Sequence, residues 1–272
     1  MEMQNKIIWL LLIACGFQLQ AQDKQEFKKE HLIQNKDTLN YRILYPPHFS
    51  KDSIYPVVLF LHGAGERGND NETQLVHGSD LFLKTENREN YPAIVIFPQA
   101  PKEDYWAQVD VDRFSYPLDF KFHQGGEPTK SLGLTMKLID SIASEKFVDT
   151  SRIYVGGLSM GGMGTFEIIS RKPEMFAAAI AICGAADTTI SEKYRDNFFI
   201  WVFHGLKDDV VNPEYSKEMV AAINKNGGNA NLTLYKDANH NSWDAAFSEP
   251  YLLDWLFSHK KDDQLELSLE NK

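Results

Sequence analysis

The sequence predicts an α/β fold: a doubly wound, mostly parallel sheet with antiparallel strands at its N-terminal side and helices on both faces. Three observations predict it. Short runs that are apolar at every position recur along the chain, helical patterns fall between them, and Gly or Pro closes several of the runs. A run that is apolar at every position is buried on both faces, as in a parallel sheet covered by helices. Strands that alternate with helices imply right-handed crossovers.

The elements follow in order. Residues 27–45 read as a hairpin, Phe27 to Ile33 and Leu39 to Tyr45 about a turn at Asn35-Lys36-Asp37, and Pro46-Pro47 ends it. The first continuous apolar run is Val57 to Leu61, before His62-Gly63. Ala93 to Phe97 follows and stops at Pro98, and Ile153 to Val155 stops at Gly156-Gly157. Ala177 to Ile182, Phe198 to Phe203 and Asn231 to Tyr235 complete the set. Leu132 to Ala143 places Leu134, Leu138 and Ile142 on one helical face. Gly161 to Arg171 is closed by Pro173, and Pro213 to Asn226 opens on Pro and closes at Gly227-Gly228. Pro250 to His259 forms the last helix. Residues 64–90 and 98–128 are long and irregular and follow strand ends. In an open α/β sheet that is where ligands bind, so these loops are the expected walls of a site.

With 272 residues and 43% hydrophobic composition, the chain can bury a sizeable core. No repeat and no linker divides it, so one catalytic domain is expected over 22–259, with a polar tail at 260–272. Residues 1–21 read as a signal peptide. Lys6 precedes the apolar run Ile7 to Phe17, which is too short to span a bilayer, and Leu19-Gln20-Ala21 offers a cleavage point. Export to the periplasm or the exterior is therefore expected. Leu12-Ile13-Ala14-Cys15 resembles a lipobox, which leaves anchoring through Cys15 as a second reading. No other apolar run reaches 18 residues. Cys183 is then the one cysteine of the exported chain and reads as a small buried hydrophobe. The net charge of −10 argues against nucleic acid as a partner.

The chemistry sits in three motifs. Gly157-Leu158-Ser159-Met160-Gly161 matches G-x-S-x-G, with a β-run before it and a helical run after it. The serine of such an elbow stands on a sharp strand-to-helix turn, and bulky side chains two residues to either side would collide there. Ser159 is the candidate nucleophile. A serine hydroxyl needs a base to take its proton. In the chain order nucleophile, acid, base, the base must follow Ser159. His204 ends a buried run and reads as a structural strand-end residue, and His259 lies on the closing helix. His240 follows the last β-run in a loop at the strand's carboxyl end, so it is the candidate base. Between them, Asp208 and Asp209 both follow a strand, and the one not used as the acid is free to cap the next helix. Asp187 follows the strand before. The oxyanion needs two N–H donors, expected from Met160 and from Ala64 in His62-Gly63-Ala64-Gly65. His62 reads as structural. H-E-x-x-H and cysteine clusters are absent, so no metal site and no cofactor is expected.

These segments resemble the α/β-hydrolase serine esterases of the phospholipase/carboxylesterase and dienelactone-hydrolase kind, a group that includes feruloyl and acetyl-xylan esterases. His62-Gly63-Ala64-Gly65-Glu66-Arg67-Gly68 resembles the group's oxyanion loop, Pro98-Gln99-Ala100-Pro101 with Trp106 its next segment, and His240-Asn241-Ser242-Trp243 its histidine segment. The resemblance covers about residues 40–258. It implies an acid four residues after the His of a His-Gly pair, which here is Asp208. Asn212 stands where related sequences often carry Pro. The expected activity is hydrolysis of carboxylic esters through an acyl-enzyme, on small-molecule or polysaccharide-linked esters, with Tyr105, Trp106 and Trp243 able to stack on substrate. Two other readings stand beside it: a serine peptidase of the prolyl-oligopeptidase type, and a catalytically dead binding scaffold.

Overall fold

The computed structural model describes residues 24–123 and 125–261. The segment at 1–21 expected to be a signal peptide and the expected tail beyond 261 lie outside the described residues.

Among the described residues ten strands form: β1 (Lys28–Gln34), β2 (Asp37–Leu44), β3 (Tyr55–Leu61), β4 (Ile94–Gln99), β5 (Val109–Asp112), β6 (Asp119–Phe122), β7 (Val148–Leu158), β8 (Ala178–Ile182), β9 (Phe199–Gly205) and β10 (Asn229–Tyr235). Eight of them make one sheet in the order β1-β2-β4-β3-β7-β8-β9-β10. β1 pairs antiparallel with β2 and β2 antiparallel with β4, and every pairing from β4 through β10 is parallel. The helices are α1 (Ser79–Leu83), α2 (Thr85–Asn90), α3 (Lys130–Ala143), α4 (Met160–Arg171), α5 (Glu214–Lys225), α6 (Trp243–Ala246) and α7 (Leu252–Ser258).

The apolar runs behave as their composition requires. Successive side chains of a strand point to opposite faces. Val57, Leu59, Leu61, Ile153, Val155, Ala179 and Ala181 join a core with Leu138 of α3, Phe166 of α4 and Met219 of α5. The alternate residues Val58, Phe60, Tyr154, Ala178 and Ile180 join a second core with Phe82 of α1 and Leu253 of α7. Thr129 caps α3, its hydroxyl accepting from the Leu132 amide at 3.2 Å.

The irregular stretches hold more order than their composition suggests. Residues 64–90 contain two 3₁₀ turns and the short helices α1 and α2. Residues 98–128 contain a separate antiparallel hairpin, β5–β6. Leu118 and Phe120 of that hairpin pack with Ala107, Met163, Ala185 and Val211, and the Leu118 amide donates to the Val210 carbonyl at 2.8 Å. The hairpin is thus tied to α4 and to the loop after β9, beside the carboxyl ends of the parallel strands.

Candidate active site

Ser159 stands between β7 and α4 with φ 53° and ψ −118°, a positive φ on a non-glycine residue. Its amide donates to the Ile182 carbonyl at 2.8 Å, which ties the turn to β8. The flanking glycines are needed for space. A Cβ on Gly161 would drive into the Leu61 carbonyl, and one on Gly157 into the Gly161 carbonyl. The strand-to-helix turn can lie this close to β3 only without those side chains.

The Ser159 hydroxyl lies 2.9 Å from His240 Nε2. On the other side of the ring, His240 Nδ1 donates to Asp208 Oδ2 at 2.8 Å. A ring whose Nδ1 carries hydrogen leaves Nε2 free to accept the serine proton. Asp208 is buried, and its Oδ1 accepts from the amides of Val210 and Val211, both at 2.9 Å. Burial alone pushes this carboxyl up. Hydrogen bonds from His204 and His240, the nearby His240 charge and the Val211 amide outweigh it and hold the group well below the usual carboxylate range. Asp208, not Asp209, therefore meets the base. Asp209 is exposed and caps nothing: the α5 entry is served by Asn212, whose Oδ1 accepts from the Glu214 amide at 3.0 Å. The expectation that the spare aspartate caps the next helix is corrected on this point: Asn212 does so instead. Asp187 caps a separate 3₁₀ turn, accepting from the Thr189 amide at 2.9 Å.

Ser159 and His240 open into a pocket of about 230 Å³. Ala64, Met160, Tyr105, Arg113, Met163 and Trp243 are among its walls. Met160 is the first residue of α4, where amides have no partner within the helix. Ala64 follows His62-Gly63 and also lines the pocket. His62 fixes that loop: its Nε2 accepts from the Ala100 amide at 3.0 Å and its Nδ1 donates to the Gly63 carbonyl at 2.6 Å. Burial lowers the His62 pKa to about 4, so near neutrality the ring is the uncharged linker these bonds require.

Trp106 is not a substrate contact. It is fully buried, packs against Gly164 of α4, and donates from Nε1 to the His62 carbonyl at 3.0 Å. The preceding Tyr105 reaches the pocket instead, its hydroxyl accepting from Arg113 at 3.2 Å. Trp243 does line the pocket, its ring 5.5 Å from that of His240 and 5.0 Å from that of His77. Arg113 and the β5–β6 hairpin carrying it had no sequence signal beyond two short alternating stretches. Cys183 is fully buried at the end of β8, and burial pushes its thiol far up. Its sulfur lies within 4.8 Å of ligand-capable atoms of Asp208 and His240.

Residues 49–250 match the family described as Phospholipase/Carboxylesterase. The chain belongs to this family. This phospholipase/carboxylesterase chain shares its fold with many solved structures. A thermostable esterase superposes with a TM-score of 0.78 at 33% identity, over 87% of this chain and 64% of that one. A ferulic acid esterase from the anaerobic fungus Anaeromyces mucronatus gives a TM-score of 0.59 at 16% identity, over 81% of this chain and 87% of that one, which is a likeness of fold. In sequence, the bifunctional acetylxylan esterase/xylanase XynS20E of Neocallimastix patriciarum is 34% identical over 84 residues. That segment is 31% of this chain and 12% of that protein. Lysophospholipase-like protein 1 of Mus musculus is 23% identical over 199 residues, 67% of this chain and 79% of that protein. The chain thus spans a small part of the acetylxylan esterase/xylanase and just under two thirds of the thermostable esterase.

Proposed function

We propose that the protein hydrolyses carboxylic esters through an acyl-enzyme on Ser159, and that its substrates carry short acyl groups such as acetyl on polysaccharide. The observation that carries the reaction type is the unbroken chain from Ser159 Oγ to His240 at 2.9 Å and from His240 to Asp208 at 2.8 Å, opening into a walled pocket. Ser159 attacks the ester carbonyl while His240 takes its proton, and Asp208 stabilises the imidazolium that forms. The amides of Ala64 and Met160 receive the developing oxyanion. His240 then gives its proton to the leaving alcohol, and water, activated by the same ring, releases the acid.

The short-acyl reading is supported by the pocket, which at about 230 Å³ lies below the ~300–1,000 Å³ usual for sites that engulf larger ligands. The partial relatives among acetylxylan esterases support the polysaccharide reading. Export, directed by Lys6 and the apolar run to Phe17, would bring the enzyme to such polymers. Trp243 and Tyr105 are the walls placed to contact the acyl or sugar group.

Initial rates on p-nitrophenyl acetate, acetylated xylan, methyl ferulate and a dipeptidyl p-nitroanilide test this reading. The acetyl esters are expected to turn over fastest, with no turnover by Ser159→Ala. Cleavage of the anilide with the esters untouched would replace the proposal with the peptidase reading.

A further inference from the structure

The sequence marks His204 as a structural strand-end residue, yet its ring touches Asp208. It is the penultimate residue of β9 and is fully buried. Its Nε2 lies 3.1 Å from Asp208 Oδ2, the same oxygen that accepts from His240, and 2.9 Å from the Val211 carbonyl. Both neighbours can only accept, since Asp208 is held as the carboxylate, so Nε2 must carry hydrogen and share it between them. The other ring nitrogen, Nδ1, lies 2.7 Å from Ser216 Oγ at the start of α5. With the hydrogen on Nε2 and the ring uncharged, Nδ1 at 2.7 Å is a nearer acceptor for the single Ser216 hydroxyl hydrogen than the Gly184 carbonyl at 3.3 Å. Three groups that titrate or carry charge face the Asp208 carboxylate from the packed elements: His204 on β9, His240 after β10 and the Cys183 thiol at the end of β8.

Resting on the esterase reading above, we propose that His204 is a positioning residue for this reaction. It donates from Nε2 to Asp208 Oδ2, fixes the carboxylate against His240 and weakens its pull on the His240 proton. The order of donation is Ser216 to His204, His204 to Asp208, with His240 meeting the same carboxylate from the active-site side. His204 does not line the substrate pocket and acts only through Asp208. Its hydrogen bond heads the favourable interactions that hold the carboxylate ionised against burial. Without it, Asp208 Oδ2 is a stronger acceptor for the His240 proton, and the pair keeps that proton to higher pH.

The test is a matched pair of variants. His204→Gln keeps an N–H donor near the position of Nε2, and His204→Met has a similar length with no donor. On p-nitrophenyl acetate, Met is expected to lower kcat by about tenfold or more with KM little changed, and to move the acid limb of the kcat/KM profile to higher pH. Gln is expected to restore both. Equal losses in the two variants with an unmoved acid limb would overturn the proposal, as would wild-type kcat and acid limb in Met. A second measurement needs no variant: nitrogen-15 histidine spectra of the wild-type protein should show His204 with hydrogen on Nε2 and none on Nδ1. The opposite tautomer overturns the proposal even if Met fails to fold. A wild-type protein inert toward every ester would instead sink the esterase reading, and the spectra would still be readable.

Discussion

At the scale of single residues, the site is built from one strained serine and a set of contacts that exclude side chains. Ser159 occupies a backbone region that costs a non-glycine residue about 1–3 kcal/mol. Ser159→Gly and Ser159→Ala both remove the hydroxyl, but only glycine is at ease at φ 53°. The glycine variant is expected to melt above the alanine variant, with a stability difference of about 1 kcal/mol or more measured by urea unfolding. Equal stabilities would mean that the turn stores no strain. The positions 159, 208 and 240 were legible in the sequence because each follows a strand run, two of them buried, and strand ends are where such residues gather. The place of Trp106 is not legible in the sequence, because a Tyr-Trp pair in a loop does not say which ring turns inward. The structure turns Trp106 onto Gly164 and His62 and leaves Tyr105 to the pocket. Trp106→Ala should therefore cost about 3–5 kcal/mol of stability, as loss of a buried tryptophan does. A variant with normal stability and only a raised KM would restore the substrate role.

At the scale of elements, the loop after β3 depends on one uncharged histidine. His62 titrates near 6.5 when unfolded and about 4 when folded. Between those values the unfolded chain binds more protons, so stability rises with pH across the window. The contribution is full above about pH 6.5 and is lost as pH falls toward 4, on the order of 3 kcal/mol in all. Asp208 and Asp70, whose carboxyls are also held low, are unfolded-state acids near 3.8 and lose their contribution only below this window. The urea midpoint should fall between pH 7 and 4.5, and fall less in His62→Gln. A flat wild-type profile would contradict this. The main strands and the four longer helices were legible because each buries a continuous run or one clear face. The β5–β6 hairpin was not, because its strands are four residues long and owe their place to contacts with Met163 and Val211 rather than to their own pattern.

At the scale of the whole molecule, one sheet with two apolar cores brings Ser159, His240 and Asp208 to a single rim. Parallel strands β3, β7, β9 and β10 end together, and their following turns deliver Ala64, Ser159, Asp208 and His240. The edge strands differ from the centre: β1 is largely exposed, while β4 and β8 are buried throughout. Amide exchange should be slowest in β3, β4, β7 and β8 and fast in β1 and the β5–β6 hairpin. Fast exchange in β7 and β8 would mean that the nucleophile turn lacks a rigid base. The global arrangement was legible from the alternation of runs and helices. The convergence of residues 159, 208 and 240 follows from crossover connections that no local segment records.

That convergence is tested most directly by covalent labelling. Intact mass and peptide mapping after reaction with a fluorophosphonate should show one adduct, on Ser159. Labelling should be absent in Ser159→Ala and slower by about a thousandfold or more in His240→Ala. An adduct on another residue, or wild-type labelling speed in the histidine variant, would contradict the account.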